Sequence, residues 1–280
     1  MYESILLNYI SLIEKKYLAK KYLFHNSYLF YRPLWTYETE LHGSKTVLYF
    51  YSANGYGMNF GKLKTPHSYG LKLMRWNLVY VLNDFQKKYL ENINDLPKYL
   101  VMEGIELSDI DEDIIIDKKY FNIGVFDITP TRPTYYLSIG YALPPYYSVK
   151  MFKNFFKDLL LSSQNKKCNL LWKPKRKIPK NFTTKEYYKF QNELSINKNN
   201  ITLLNAEIAS KRIIEKCDAV ISMPFSSPSL IAKNLKIPSI YYDASYSVLE
   251  DDFNNIDIVK SQKKLEEWIN KIYNNYFLQN

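Results

Sequence analysis

The sequence predicts an α/β fold built on parallel sheets covered on both faces. Three observations carry this. Short apolar runs alternate with helical patterns along most of the chain, the rhythm of strands joined by crossover helices. Runs such as AVIS and SIYY, near residues 219 and 239, are apolar almost residue after residue, as strands buried on both faces are. Hydrophobic residues make up 46% of 280 positions and aromatics 16%, enough to fill a sizeable core and to exclude general disorder.

Taken in order, residues 2–24 are expected to form one helix. Ile5, Leu6, Tyr9, Ile10, Leu12, Ile13, Tyr17 and Leu18 recur there at helical spacing. Residues 46–51 read as a strand, followed by a loop carrying Gly55, Gly57 and Gly61. That spacing is not the G-x-G-x-x-G of a dinucleotide fingerprint. NLVYVLND reads as a strand running into Asp84, FQKKYLENI as a helix, and 99–103 as a strand. The acidic stretch SDIDEDIIIDKKY separates two β-rich regions and marks a domain boundary, giving units 1–117 and 118–280. Asp109 and Asp111 there have the chemistry of a divalent-cation pair. A charge run at a junction is ordinarily solvated surface, so no metal site is assigned.

The second half is clearer. A strand ends at Asp127, the loop TPTRP follows, and the next helix places Phe152, Phe155, Phe156 and Leu159 on one face. CNLLWK is a strand leading into a basic loop. KEYYKFQNELSI is a helix, NITLLN a strand and AEIASKRIIEKC a helix. Then DAVISMP (strand), SSPSLIAKNL (helix), PSIYYDA (strand) and SQKKLEEWINKIYNNYF (helix) close the chain.

The net charge is +10, from 38 Lys and Arg against 28 Asp and Glu, which favours anionic partners. The cations are scattered and form no nucleic-acid tail; the tightest cluster is Lys173, Lys175, Arg176, Lys177 and Lys180. Cys168 and Cys217 lack a metal-ligand spacing and read as buried thiols of a reducing compartment. No apolar stretch approaches the about 20 residues of a membrane span. The N-terminal segment is amphipathic and lacks a signal-peptide cleavage region. A cytoplasmic protein is expected, with peripheral contact at the inner membrane compatible with that segment.

In a doubly wound sheet, ligands bind outside the carboxyl ends of the strands. Four segments fall just after expected strands: Asp127 to Arg132, Lys173 to Lys177, Asn205 to Ser210, and Ser222 to Ser229. Ser226 and Ser227 precede a helix, and Pro228 suits its first turn. Free amides at such a helix start, with hydroxyls and a basic loop nearby, make a seat for a phosphate.

The stretch from Asp218 to Ser245 resembles the C-terminal signature of the bacterial polysaccharide-biosynthesis proteins named for a Pro-Phe-Thr-Ser motif. Here it reads Pro224-Phe225-Ser226-Ser227, keeping a hydroxyl where the motif has threonine. The likeness extends to YFYSANGYG, to 76–86, to FDITPTRP and to LLWKPKR, so it covers about 46–250.

That family is similar to the GT-B glycosyltransferases near bacterial sialyltransferases and Kdo transferases. The resemblance implies two Rossmann-like domains facing a cleft, with the acceptor side in 1–117 and the nucleotide-sugar side in 118–280. It implies metal-independent, inverting transfer of an acidic sugar (Kdo, sialic acid or a related nonulosonate) from a CMP donor to a bacterial surface glycan or glycolipid. No cofactor beyond the donor substrate and no nucleic-acid partner are expected. Lys173, Lys175, Arg176, Ser226 and Ser227 would meet the leaving phosphate, though Lys175 stands where sialyltransferases carry histidine. Thr129, Arg132, Glu207 and Ser222 would serve nucleotide binding. The glycine loop at 55–61 would be an acceptor-binding or hinge loop. A base must take the acceptor proton, and Asp84 is the first choice, then Glu38 and Glu40, with Asp127 a fourth. Two other readings stand beside this one: a GT-B transferase using a UDP- or GDP-sugar, and a non-catalytic glycan-binding or assembly protein.

Overall fold

The computed structural model describes residues 2–25, 31–50, 71–102, 109–134, 145–177, 183–196, 200–224, 226–246, 248 and 256–279. The glycine loop, Lys180 and Phe225 lie outside the described residues. The described residues fall into two compact units, the first made of those up to Met102 and the second of those from Asp109 onward.

The first unit contains α1 (Tyr2–Ser11), β1 (Lys21–His25), α2 (Trp35–Leu41), β2 (Lys45–Tyr49), β3 (Leu78–Val81), α3 (Asp84–Glu91) and β4 (Lys98–Val101). Its four strands pair in parallel, in chain order β1-β2-β3-β4. The single helix expected over 2–24 is not formed. The helix stops at Ser11, and Lys21–His25 pairs with β2 instead. The reason is packing. Tyr22 sets its ring against Trp35, and Phe24 lies between Trp35 and Trp76, 4.9 Å from the latter. Alternation at period two puts both rings on one face, which a helix would not do. The short α2 ends where Gly43 takes φ +88°. The Gly43 amide donates to the Glu40 carbonyl and the Ser44 amide to that of Thr39, closing the last turn.

The second unit contains β5 (Phe121–Phe126), α4 (Val149–Ser163), β6 (Cys168–Lys173), α5 (Lys185–Ile196), β7 (Ile201–Leu203), α6 (Ser210–Ile214), β8 (Ala219–Ser222), α7 (Ser227–Asn234), β9 (Ser239–Tyr242), β10 (Ile258–Val259) and α8 (Gln262–Gln279). Its six strands are all parallel, in the order β10-β9-β8-β5-β6-β7. From β5 the chain builds outward through β6 and β7. It then returns to the other side of β5 and builds outward through β8, β9 and β10. This is a doubly wound sheet, and the direction reverses between β5 and β8.

Ser148 starts α4 by accepting the Met151 amide at 3.2 Å. Phe152, Phe155, Phe156 and Leu159 are then fully buried, as their spacing predicts. Phe152 and Phe156 pack on Trp172 of β6, with Phe156 at 4.5 Å. Each such ring contributes roughly 2–3 kcal/mol by leaving water. The expected helix over 206–217 shortens to the five residues of α6. Arg212 of α6 donates to Asp109 at 3.0 Å and to the carbonyl of Glu112 at 3.0 Å. The Ala209 amide and this guanidinium hold the Asp109 carboxyl below the usual range. Among the described residues no helix is long and apolar enough to cross a membrane.

Candidate functional site

The carboxyl edge of the second sheet collects ionic and hydroxyl groups around the point where strand order reverses. Asp127 is the first residue past β5. Its carboxylate, 3% exposed, accepts the Trp172 indole N–H at 3.0 Å and the Lys175 amide at 2.8 Å. It therefore ties the end of β5 to the basic loop after β6. Burial pushes its pKa up to about 7, opposed by those two hydrogen bonds and the charges of Lys173 and Lys175. Trp172 can aim its N–H there because Phe152 and Phe156 fix the indole from below.

Lys173 closes β6 and is 7% exposed, while Lys175, Arg176 and Lys177 reach solvent. Crowding around its ammonium, then the Arg176 charge, lower the Lys175 pKa to about 8. Because the residue as a whole is exposed, water keeps that ammonium protonated at neutral pH.

On the other side of the reversal, the Met223 amide donates to the Phe126 carbonyl at 3.0 Å and extends the pairing of β8 with β5. Ser222 is fully buried, and its hydroxyl is bonded to that of Ser229. It braces β8 against α7. Ser226 is the N-cap of α7, with φ −92° and ψ 144°, yet it makes no side-chain cap. Its hydroxyl donates back to the Met223 carbonyl at 2.6 Å, and its own carbonyl accepts the Tyr241 hydroxyl at 3.1 Å. Tyr146 donates to the Pro224 carbonyl. The turn is thus held by its own polar groups, and the Ser226 side chain does not cap the positive end of the eight-residue α7. Ser227, half-buried, is the first helical residue.

The TPTRP loop makes a third wall. The Thr131 amide donates to the Tyr147 carbonyl at 3.1 Å, and Arg132 Nε donates to the Thr183 carbonyl just before α5. The hydroxyl oxygens of Thr129, Thr183 and Thr184 are buried without a hydrogen-bond partner. Glu207 is exposed after β7, its amide bonded to Asn205 Oδ1 at 3.1 Å. The residues expected on the nucleotide side thus all follow the carboxyl ends of β5, β6, β7 and β8, but the hydroxyls of Ser222 and Ser226 are turned inward to Ser229 and Met223.

The remaining carboxylates belong to the first unit. Asp84 does not end a strand. β3 stops at Val81, and Asp84 is the exposed first residue of α3, where Asn83 caps by accepting the Gln86 amide at 2.8 Å. Glu40 meets the buried Arg32 guanidinium at 2.6 Å and accepts from Asn77 at 2.7 Å and from Thr46. Glu38 faces His42 at 3.6 Å. Among the described residues no group of three His, Cys, Asp or Glu side chains is placed to hold a metal ion.

Sequence reasoning passed over Trp172, Tyr146, Thr183 and Thr184. Trp172 is one apolar residue of the CNLLWK run, with no local signal for its bond to Asp127. The threonine pair directly before the KEYYKF helix did carry an N-cap signal.

The family model described as polysaccharide biosynthesis PFTS motif protein matches residues 1–269. Comparison with curated proteins finds no match. Among solved structures the chain is similar to TarM, with 12% identity and a TM-score of 0.51. The alignment covers 98% of this chain and 51% of TarM, so this chain spans about half of TarM's length. It is also similar to Acinetobacter baumannii MurG (9% identity, 99% of this chain and 71% of that one, TM-score 0.43). A third likeness is to the Anabaena protein HepE in complex with UDP (11%, 96% and 71%, TM-score 0.47). Two units of parallel sheet, each Rossmann-like, give the chain the fold of the GT-B glycosyltransferases.

Proposed function

The chain belongs to the polysaccharide-biosynthesis PFTS-motif family, and from that premise we propose that it is a glycosyltransferase. In this reading it moves an acidic sugar from a CMP donor to a glycan or glycolipid hydroxyl. The observation that carries it is the start of α7, whose N-cap Ser226 makes no side-chain cap, on the same carboxyl edge as the cations of the β6 loop and across β5 from them, at the strand reversal. Fixed donors and charges of that kind stabilise a departing phosphate electrostatically. The CMP-linked acidic sugar is supported by the motif resemblance of the WKPKR loop and the serine pair.

The step is a displacement. The acceptor oxygen forms a bond to the anomeric carbon, and the bond from that carbon to the phosphate oxygen breaks. The electron pair leaves with CMP, and the acceptor proton goes to a carboxylate. Lys175, Arg176, Ser227 and the α7 amides receive the growing phosphate charge, while Thr129, Arg132 and Glu207 contact the nucleotide. Asp127 positions the basic loop through the Lys175 amide. We assign the base to Asp84, which is exposed, whereas the oxygens of Glu40 are occupied by Arg32, Asn77 and Thr46. The acceptor class also fits work at the cytoplasmic face of a membrane with peripheral contact.

Calorimetry with CMP and UDP tests this directly. Lys175→Ala with Arg176→Ala is expected to weaken CMP about 100-fold, two charge-assisted contacts at roughly 1.5 kcal/mol each. Asp84→Asn should leave CMP affinity unchanged and abolish turnover of a CMP-sugar. Tighter binding of UDP than of CMP would overturn the donor assignment. CMP binding untouched by the double substitution would overturn the site.

A further inference from the structure

In the first unit, α1 exposes a second apolar stripe opposite its packed side: Tyr2, Ile5, Tyr9 and, just past the helix, Leu12. The neighbouring α2 does the same with Leu34, Tyr37 and Leu41. The two helices run side by side in the same direction. At one end the Leu34 amide donates to Glu3 at 2.8 Å; at the other, a side chain on Gly43 would come within 3.0 Å of Lys15 Nζ. The two most exposed apolar residues of this face, Leu12 at 85% and Leu41 at 81%, therefore share the end where both helices finish, together with Tyr17 at 71%, while Tyr2 at 74% lies at the other end.

That end is also cationic. Lys15, Lys16, Lys20, Lys21 and Lys45 are all exposed. Lys16 Nζ sits 4.9 Å from the Tyr17 ring, the Lys45 amide donates to the Lys20 carbonyl, and Lys21 stands opposite Lys45 in register. Among the described residues up to Phe50, Glu14 is the one exposed carboxylate. Glu3, Glu38 and Glu40 are partly buried against Leu34, His42 and Arg32.

We infer that this end of the first unit docks on an anionic lipid bilayer, with Leu12, Tyr17 and Leu41 entering the headgroup layer and the lysines meeting lipid phosphates. Leucines flanked by tyrosine and long lysines have the composition of an interfacial surface. Charge selects the occupant. A two-fold contact with a second copy would press lysine cluster against lysine cluster. A nucleic acid would leave the leucines in water. The surface lies at the amino edge of the first sheet, where β1 and β2 begin. The inference gives residues to the peripheral contact proposed above, and its test needs no sugar transfer.

The full chain is mixed with phosphatidylglycerol–phosphatidylethanolamine vesicles or with phosphatidylcholine vesicles, and bound protein is read by flotation. Binding to the anionic vesicles alone is expected, falling as salt rises. Lys15→Glu with Lys16→Glu and Lys20→Glu should weaken it at least about 100-fold, three lysines each contributing about fivefold. Leu12→Ser with Leu41→Ser should weaken it about tenfold, while both variants keep the wild-type melting temperature because the altered side chains are exposed. Equal binding to phosphatidylcholine, or wild-type binding by both variants, overturns the inference. So does a dimer in light scattering that Leu12→Ser with Leu41→Ser dissolves, which would give the surface to a second copy. Vesicle binding without transfer of any sugar would keep this surface and sink the enzymatic reading; transfer without vesicle binding would do the reverse.

Discussion

The two sheets are built from the same strand–helix rhythm, yet their strand orders differ. In the first unit the strands follow chain order, β1 to β4, so each connection steps to the same side. In the second the chain builds away from β5 in both directions, so the connections after β5 and β8 lead to opposite sides of the reversal point. Two aspartates mark the difference. Asp84 and Asp127 both follow apolar runs. In the first unit that position becomes the exposed start of a helix; in the second it becomes a buried carboxylate that fastens one strand end to a cationic loop. Topology, not the local run of residues, separates them.

The contrast can be broken where it is strongest, at Asp127. Its folded pKa is about 7, above the ordinary 3.8. Between those values the folded chain holds a proton that the unfolded chain has released, so stability should fall as pH rises from 4 to 7 and level off above. Relative to Asp127→Asn, the loss should be on the order of 4 kcal/mol by urea unfolding across that window. A constant difference between the two proteins across it would mean that Asp127 is ionised throughout.

The first unit should respond differently. Glu40→Gln leaves the buried Arg32 guanidinium without its charge partner, and is expected to cost on the order of 3 kcal/mol. Calorimetry should show CMP affinity unchanged. A loss of CMP binding together with stability would mean that the first unit contributes to the nucleotide site. The smallest effect belongs to Asn83→Ala, which removes the cap of α3 at about 1 kcal/mol in thermal unfolding. No measurable change would show that Asp84 beside the helix start already supplies what the cap does.

The second unit was readable because its signals are local. The buried strands β5, β6, β8 and β9, the phenylalanine face of α4 and the serine-proline start of α7 all follow from residues adjacent in sequence. Residues 2–24 were not readable in the same way. Their helical periodicity is real, but β1 exists because β2 and Trp76 lie against it, and both are distant in sequence. At the site, residue types were legible and hydrogen-bond choices were not. A serine at a helix start ordinarily accepts from the helix, yet the Ser226 hydroxyl turns back to Met223, a carbonyl only the folded turn presents. The clamp of Asp127 by Trp172 joins two strands that meet only through the register of β5 with β6.

In the middle of β5, a side chain on Gly124 would come within 2.9 Å of the Cys217 sulfur. The thiol is thus sealed against the backbone of the central strand, and burial drives its pKa far above that of a free cysteine. Cys168, at the start of β6, is buried too, and the chain has no other cysteine. The molecule therefore carries a chemical clock in one half only: the rate at which an alkylating reagent marks these sulfurs reports how often the six-stranded sheet opens, whatever its neighbour is doing.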